Sequence, residues 1–252
     1  MKKFALAGAF MALAAAQPAS AQINITSTTA SWSQVCTAQA ACNVPGAGTT
    51  TTNGITTVNT GSPISITWPR YGDARDAQFT PSSYQFTLFA PGIVTIGSTF
   101  VLGVFTHNNF DIPTDPARTL GSATLAYQLG ITGAVPSTYG ESFQFSHNET
   151  PNSGPCLVGA PPCADIVTFV PNAVSGGFIL GGQQYLIDIL GFGTTPATPT
   201  LQFVSPEGQS NTTNLYARIT TPNVVPEPST YALMAAGLAG IFALRRRNQR
   251  AA

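Results

Sequence analysis

The chain has 252 residues, only 8% of them charged, and its ten basic side chains balance its ten acidic ones. No stretch between residues 22 and 225 concentrates lysine or arginine, so the body presents no basic surface to a phosphate backbone. This composition excludes nucleic-acid binding. A body of about 200 residues is long enough to bury a hydrophobic core, and it fits a single domain.

The first 21 residues have the features of a signal peptide. Lys2 and Lys3 precede an apolar stretch at residues 4–16, and Ala19-Ser20-Ala21 supplies the small residues that signal peptidase requires. We therefore expect cleavage between Ala21 and Gln22. The part that follows would be exported.

The four cysteines lie in two local pairs, Cys36 with Cys42 and Cys156 with Cys163. In an oxidising periplasm, an even number of cysteines in close pairs predicts two small disulfide loops, each stabilising the fold by about 2 to 3 kcal/mol. The other pairings remain formally open, and a structural zinc site is the competing interpretation. The spacings are wider than those typical of zinc ligands, which favours disulfides.

Alternating apolar residues recur between residues 22 and 220, and Gly, Pro, Asn and Asp clusters separate them. This pattern is typical of short β-strands joined by turns, and no sustained helical period interrupts it. The alternating sets are Ile64, Ile66 and Trp68; Tyr84, Phe86 and Leu88; Phe100, Leu102 and Val104; Leu125, Tyr127 and Leu129; Phe143 and Phe145; Val167 and Phe169; Tyr185, Ile187 and Ile189; Leu201 and Phe203; and Leu215, Ala217 and Ile219. The sequence therefore predicts an all-β fold, a single β-sandwich or jelly-roll-like domain at residues 22–220. The threonine-rich stretch Thr49 to Thr60 is interpreted as a loop or a polar edge.

A polar segment follows one of these strands and supplies candidate ligands. In an extended chain, His107, Asn109 and Asp111 face the same side. Carboxylates from other loops could join them if the fold brings the loops together, and calcium is the candidate ion, although no Asp-x-Asp-x-Asp-Gly run is present. The candidate ligand or ion loop consists of Thr106, His107, Asn109, Asp111, Glu149 and Glu207. The alternative interpretation is structural, with His107 and Asn109 bonding to exposed backbone at a strand end.

Trp68 begins a second polar stretch that continues through Tyr71 to Asp76. Exposed aromatic rings beside Asp and Arg could stack on and hydrogen-bond a sugar ring. The alternative places Trp68 in the core, with the charged residues in a solvated loop.

The C-terminal residues form a sorting signal with three parts. Val225-Pro226-Glu227-Pro228 precedes an apolar run at residues 231–244, and Arg245, Arg246 and Arg247 follow it. As a helix, that run would measure roughly 21 Å against a hydrocarbon core of roughly 30 Å, which is short for a permanent anchor. The prolines keep the preceding segment extended and accessible, and the arginines should stay on the cytoplasmic side. We assign residues 221–228 to a linker and residues 229–252 to a transmembrane sorting helix with a basic tail.

These C-terminal residues resemble the PEP-CTERM sorting signal of Gram-negative bacteria, which a membrane peptidase called exosortase recognises. The resemblance implies cleavage near Pro226 to Pro228, with the chain held transiently at the inner membrane and then delivered to the cell surface or extracellular matrix. The segment from Leu102 to Asn109, with Thr106 and His107 inside it, is similar to the signature of the THxN family of PEP-CTERM proteins and to the choice-of-anchor K domain. That resemblance implies a location and a fold, but no activity.

Removal of both signals changes the net charge of the chain from zero. Four arginines and no lysine then stand against ten acids, which gives a net charge of −6 if Glu227 is retained. Such a polar, mildly acidic surface suits a secreted, sugar-rich setting.

The sequence therefore predicts an exported, non-catalytic protein of the cell surface or extracellular matrix, associated with exopolysaccharide or biofilm. Its expected partners are signal peptidase, an exosortase-like processing enzyme and an exopolysaccharide, with no cofactor other than candidate calcium. The alternative is a carbohydrate- or calcium-binding surface module. A glycan hydrolase is less favoured, because the chain shows no nucleophile elbow, phosphate loop or zinc-protease motif, although its acids could include a catalytic pair.

Overall fold

The computed structural model describes residues 22–68, 79–112, 116–152, 154–170 and 177–222, together with Leu238. The predicted signal peptide, the Val225 to Pro228 motif and the terminal arginines lie outside the described residues, as does the apolar run except for Leu238. In the part of the chain that is described, no helix has the length and apolar character needed to cross a membrane.

The described residues form sixteen β-strands, so the predicted all-β class is confirmed. The strands are β1 (Gln22–Thr37), β2 (Cys42–Asn43), β3 (Thr49–Thr52), β4 (Ile55–Val58), β5 (Ile64–Trp68), β6 (Ser82–Leu88), β7 (Gly92–Thr95), β8 (Thr99–Asn109), β9 (Leu120–Ile131), β10 (Ala134–Val135), β11 (Thr138–Asn148), β12 (Asp165–Val170), β13 (Gly177–Leu180), β14 (Gln183–Gly193), β15 (Gln202–Ser205) and β16 (Gln209–Thr220).

The strands build two antiparallel sheets. The seven-stranded sheet, here called sheet A, has the order β15-β12-β11-β9-β1-β2, and β7 also pairs with β1. The nine-stranded sheet, sheet B, has the order β10-β13-β14-β16-β8-β6-β5-β4-β3. The two-sheet, sandwich-like architecture is thus confirmed, and the jelly-roll topology stays a prediction.

An aromatic core joins the two sheets. Phe145 of sheet A lies 5.0 Å from Phe105 and 5.6 Å from Phe192, both of sheet B, measured between ring centroids. All three side chains are almost completely buried. Burial of one such ring contributes about 1.5 to 3 kcal/mol, so these contacts are a main source of cohesion between the sheets.

Strand β8 departs from the predicted alternation. The sequence places Leu102 and Val104 on one face, but the structure buries Leu102 and Phe105 and leaves Val104 half-buried. In the pairing of β8 with β16, Gly103 is opposite Leu215 and Val101 is opposite Tyr216, so Leu102 is an extra residue in β8 at this point. Such an irregularity changes the phase of the alternation, and it brings His107 and Asn109 to the buried face together with Phe105.

The threonine-rich stretch forms the polar edge of sheet B. Strands β3 and β4 are joined by Asn53 and Gly54, whose φ angles are 51° and 73°. Positive φ at both central residues is what a tight two-residue hairpin turn requires, and Asn-Gly is its preferred sequence. The interpretation of residues 49–60 as a polar edge is confirmed.

Both predicted disulfides are confirmed. Cys36 bonds to Cys42, directly opposite it in the pairing of β1 with β2, and Cys156 bonds to Cys163 in the connection between β11 and β12. The zinc interpretation of these cysteines is therefore wrong.

Candidate metal centre

Five ionisable side chains converge between the two sheets at one end of the sandwich. His107 comes from β8 of sheet B, while His147 and Asp165 come from β11 and β12 of sheet A. Glu149 lies just beyond the end of β11, and Glu207 lies in the turn between β15 and β16. These five residues are called the His-carboxylate cluster below.

The alternation of the strands explains why polar residues enter the core here. His147 is in phase with the buried Phe143 and Phe145 on β11. Asp165 is likewise in phase with the buried Val167 and Phe169 on β12. Because side chains two residues apart share a face, both polar groups point inward at the end of an otherwise apolar row.

Strand pairing brings His107 and Glu207 close to His147 and Asp165. His107 is paired with Tyr84 on β6, and Asp165 is paired with Ser205, two residues before Glu207. The ligand atoms of His107, His147 and Asp165 all lie within 4.8 Å of one another, and so do those of Glu149, Asp165 and Glu207. Asp165 belongs to both groups and links the imidazoles to the other carboxylates.

Aromatic rings form the walls of the cluster. The indole of Trp68 stacks on the imidazole of His107 with a centroid distance of 5.7 Å and an angle of 21°. Tyr84 meets the same imidazole edge to face at 5.0 Å. Trp68 is 0% exposed, so the suggestion that it stacks on a sugar at the surface is wrong. The rest of that polar stretch, Tyr71 to Asp76, lies outside the described residues.

Hydrogen bonds orient three members of the cluster. The hydroxyl of Tyr84 lies 2.5 Å from Nδ1 of His147, and Nε2 of the same ring lies 3.1 Å from Oε2 of Glu149. Asp165 accepts a hydrogen bond at Oδ1 from the backbone N–H of Thr150 at 2.8 Å. Its other oxygen, Oδ2, lies 3.8 Å from Nε2 of His147.

Several buried polar atoms of the cluster have no hydrogen-bond partner among the described residues. They are both ring nitrogens of His107, Oε1 of Glu149 and Oδ2 of Asp165. Oδ1 of Asn109, which lies beside the cluster, also has none in the described part of the chain. A buried polar atom without a partner costs about 1 to 3 kcal/mol. Such a concentration of unsatisfied donors and acceptors in one place is typical of a site that a ligand completes.

Burial shifts the pKa of each of these groups so that its neutral form is favoured. Loss of solvation raises the pKa of each of Glu149, Asp165 and Glu207 to about 7. The negative charge of Glu149 adds to this effect at Asp165 and Glu207. Loss of solvation also lowers the pKa of His147 to about 4 and holds the pKa of His107 well below its usual range. Both imidazoles are therefore neutral near pH 7, and each keeps a ring nitrogen lone pair.

Only some residues of the candidate loop predicted from the sequence belong to the cluster. His107, Glu149 and Glu207 belong to the cluster, and Asn109 is buried beside them with its amide donating to the backbone oxygen of Ser205 at 2.8 Å. Asp111 is exposed and accepts a hydrogen bond from Asn152 at 2.7 Å.

Thr106 alternates with His107 and faces the outer side of sheet B. Its hydroxyl lies 3.1 Å from that of Thr212, in an exposed pair. The structural interpretation of the segment therefore describes Asn109, whose amide bonds to backbone, but not His107, whose nitrogens lack partners.

Sequence reasoning missed Asp165 and the central position of His147. Both carried a usable signal, because each continues an alternating apolar row by one step with a polar residue. An ionisable side chain in the buried phase of a strand is costly unless it is paired or bound, which marks it as a candidate site residue.

Comparison with known families identifies one segment of the chain. Residues 224–247 match the PEP-CTERM protein-sorting motif. This motif implies an exported protein of a Gram-negative bacterium, sorted by an exosortase. No curated protein matches the chain.

Proposed function

We propose that this chain, which carries a PEP-CTERM protein-sorting motif, is a non-catalytic protein of the cell surface or extracellular matrix that associates with exopolysaccharide. The motif at residues 224–247 is the single observation that carries the proposal. In this view an exosortase-like enzyme cuts near Pro226 to Pro228, and the two-sheet body is released outward.

The body has properties that suit this role. Its exposed residues include uncharged polar side chains such as Thr49 and Thr51 of β3, and two disulfides close local loops. Disulfides persist in oxidising compartments outside the cytoplasm. Resemblance to the THxN family and the choice-of-anchor K domain, centred on Thr106, His107 and Asn109, supports the same location.

The arrangement of the carboxylates supports a non-catalytic role. Oxygens of Glu149, Asp165 and Glu207 lie within 4.8 Å of one another, and the side chain of Asp165 is 0% exposed. Glycosidases use two carboxyl groups about 5 to 9.5 Å apart across a cleft that admits a sugar. Buried, crowded carboxylates suit ion binding better than glycan hydrolysis.

Mass spectrometry of the protein recovered from the cell surface and medium tests the sorting proposal. We expect mature chains that begin at Gln22 and lack Arg245, Arg246 and Arg247. Replacement of Pro226, Glu227 and Pro228 by alanine should leave the tail attached and keep the protein in the membrane fraction. Pro222→Ala, four residues upstream of the motif, is the matched control and should be processed normally. An intact tail on surface-exposed protein would contradict the proposal.

The second candidate function is a surface module that binds a divalent cation or a carbohydrate. The His-carboxylate cluster, with its unpartnered buried atoms, favours this candidate. Calorimetry against the exopolysaccharide of the producing cells, and against calcium and zinc ions, tests it. Heat of binding or a rise in melting temperature is expected, and the absence of both would rule the candidate out.

A further inference from the structure

We infer that the His-carboxylate cluster binds a divalent first-row transition-metal ion, represented by Zn²⁺, through the imidazoles of His107 and His147 and the carboxylate of Asp165. This inference deepens the binding-module candidate by naming the class of ligand. It does not depend on the route by which the chain is sorted.

His107 is the observation that points most directly to an ion. Its side chain is 0% exposed, and neither ring nitrogen has a hydrogen-bond partner among the described residues. A residue that only fills the core has no need of two ring nitrogens, because a phenylalanine or leucine fills the space without unsatisfied atoms. A metal ion would bind the lone pair of one of these nitrogens.

The three proposed ligand atoms are already close together. They lie within 4.8 Å of one another, whereas bonds of about 2.0 to 2.2 Å to zinc place neighbouring ligand atoms roughly 3 to 4 Å apart. Small side-chain rotations therefore suffice to close the site. The three residues stand on β8, β11 and β12, so paired strands from both sheets fix their backbones.

A supporting shell orients two of the ligands. Tyr84 contacts Nδ1 of His147, which leaves Nε2 on the side of Asp165 and Glu149. The backbone N–H of Thr150 donates to Oδ1 of Asp165, while Oδ2 has no hydrogen-bond partner among the described residues. Groups that hold the outer atom of a ligand and free the inner one are typical of the second layer around metal sites. Because a phenol both donates and accepts, Tyr84 suits the tautomer that the metal-bound imidazole needs.

The mixture of donors decides between zinc and calcium. Calcium takes six to eight oxygen ligands, while two imidazoles and a carboxylate are a ligand set typical of zinc and its neighbours in the first row. Glu149, whose Oε2 already lies 3.1 Å from Nε2 of His147, is placed to supply a fourth ligand. The sequence-based suggestion of calcium drew on Asn109, Asp111, Glu149 and Glu207, and of these Asp111 is exposed and outside the cluster.

A cavity of about 150 Å³ reaches the cluster from the surface. It is lined by His147 and Glu149 on the inner side and by the exposed Ala38 and Asn148 on the outer side. A single water molecule needs far less space than this, so the cavity provides a route for an ion that has shed most of its hydration shell.

Metal titration of the full chain tests the inference. The protein is purified in detergent without a histidine tag and is stripped with a chelator. Since the chain has two histidines, both in the cluster, any imidazole-bound metal must bind there. We expect one Zn²⁺ per chain by elemental analysis, at least 100-fold tighter binding of Zn²⁺ than of Ca²⁺, and a visible absorption spectrum of bound Co²⁺ typical of nitrogen and oxygen ligands.

Substitutions locate the site. His107→Gln and Asp165→Asn should each weaken Zn²⁺ binding at least tenfold and change the Co²⁺ spectrum. Asp188→Asn is the matched control, because it lies far from the cluster. Asp188 on β14 is opposite Arg218 on β16, and Arg218 is opposite Thr99, at the other end of β8 from His107. It should bind Zn²⁺ as the unaltered chain does. Near-ultraviolet circular dichroism reports whether each variant is folded.

Three results would overturn the inference: no stoichiometric Zn²⁺ binding, tighter binding of Ca²⁺ than of Zn²⁺, or unchanged binding by both cluster variants. Should the variants fail to fold, the Co²⁺ spectrum of the unaltered chain decides. A chain that binds Zn²⁺ but keeps its tail on cells would contradict the sorting proposal alone. A processed chain without Zn²⁺ binding would contradict the metal site alone.

Discussion

The hydroxyl of Tyr84 lies 2.5 Å from Nδ1 of His147, and this contact joins sheet B to sheet A through the core. Aromatic packing between the sheets tolerates small shifts, because it has little directionality. A buried hydrogen bond between two side chains does not, because its strength depends on distance and angle. This pair therefore fixes how the two sheets meet at the cluster and which ring nitrogen of His147 faces the carboxylates.

Tyr84→Phe should destabilise the fold by about 1 to 3 kcal/mol, because it leaves Nδ1 of His147 buried without a partner. Unfolding in denaturant, measured in the presence of a chelator, gives this value. Tyr185→Phe on β14 is the control, since it keeps its ring packing on Phe178 outside the cluster. The interpretation fails if both variants lose the same stability.

Stability should fall steeply as pH rises above about 10, the usual pKa of tyrosine. Burial raises the pKa of Tyr127 and of Tyr139, and the charge of Glu141 raises the pKa of Tyr127 further. Above pH 10 the unfolded chain loses phenol protons that the folded chain keeps, so each tyrosine contributes a loss of up to about 1.4 kcal/mol per pH unit. Unfolding free energies between pH 8 and 11 measure the slope.

A double variant tests the assignment of that slope. Tyr127→Phe with Tyr139→Phe should flatten the alkaline decline, whatever it costs at pH 8. Below the usual pKa neither tyrosine titrates in either state, so the pH dependence of the variant and of the unaltered chain should coincide there. An equally steep alkaline decline in the variant would show that other groups cause it.

The two disulfides should contribute equally to stability but differently to the metal site. They join cysteines six and seven residues apart, so loss of either should cost about 2 kcal/mol in the loop-entropy account. Only Cys156–Cys163 closes part of the connection between Glu149 and Asp165. Replacing that pair by alanine should also weaken Zn²⁺ binding several-fold, while Cys36→Ala with Cys42→Ala should not. Equal Zn²⁺ affinities in the two variants would contradict this prediction.

Phe145→Ala should destabilise the protein by about 3 to 5 kcal/mol, because it leaves a cavity between Phe105 and Phe192 where the sheets meet. The melting temperature and the denaturant midpoint both report this loss. Phe89→Ala removes the same ring from a position that is 40% exposed, and it should cost much less. Similar losses in both variants would mean that the contact between the sheets contributes little.

The strands were predictable where alternation alone decides burial. Phe143 with Phe145 and Val167 with Phe169 were placed correctly, because period two is a local property of an extended chain. Val104 was placed on the wrong face because Leu102 is an extra residue in the pairing of β8 with β16, which shifts the phase of β8. A strand far away in sequence sets that phase, and no local pattern shows it.

The candidate site was predicted only in part, for the same reason. His107 stood out as a polar residue at a strand end, and Glu149 and Glu207 were included without knowledge of their contacts. Asp165 was missed, although it continues the row of Val167 and Phe169. Its meaning depends on the imidazoles of β8 and β11, which the sandwich brings to the same end of the molecule.

The sequence by itself determined the sorting motif and the class of fold. The PEP-CTERM motif is a linear signal that a processing enzyme reads along the chain, and strand alternation and close cysteine pairs are local as well. Only the tertiary structure decided the site, because His107, His147 and Asp165 are distant in sequence and lie on three strands of two sheets. Their proximity arises from long-range strand pairing and sheet packing, which no short stretch of sequence encodes.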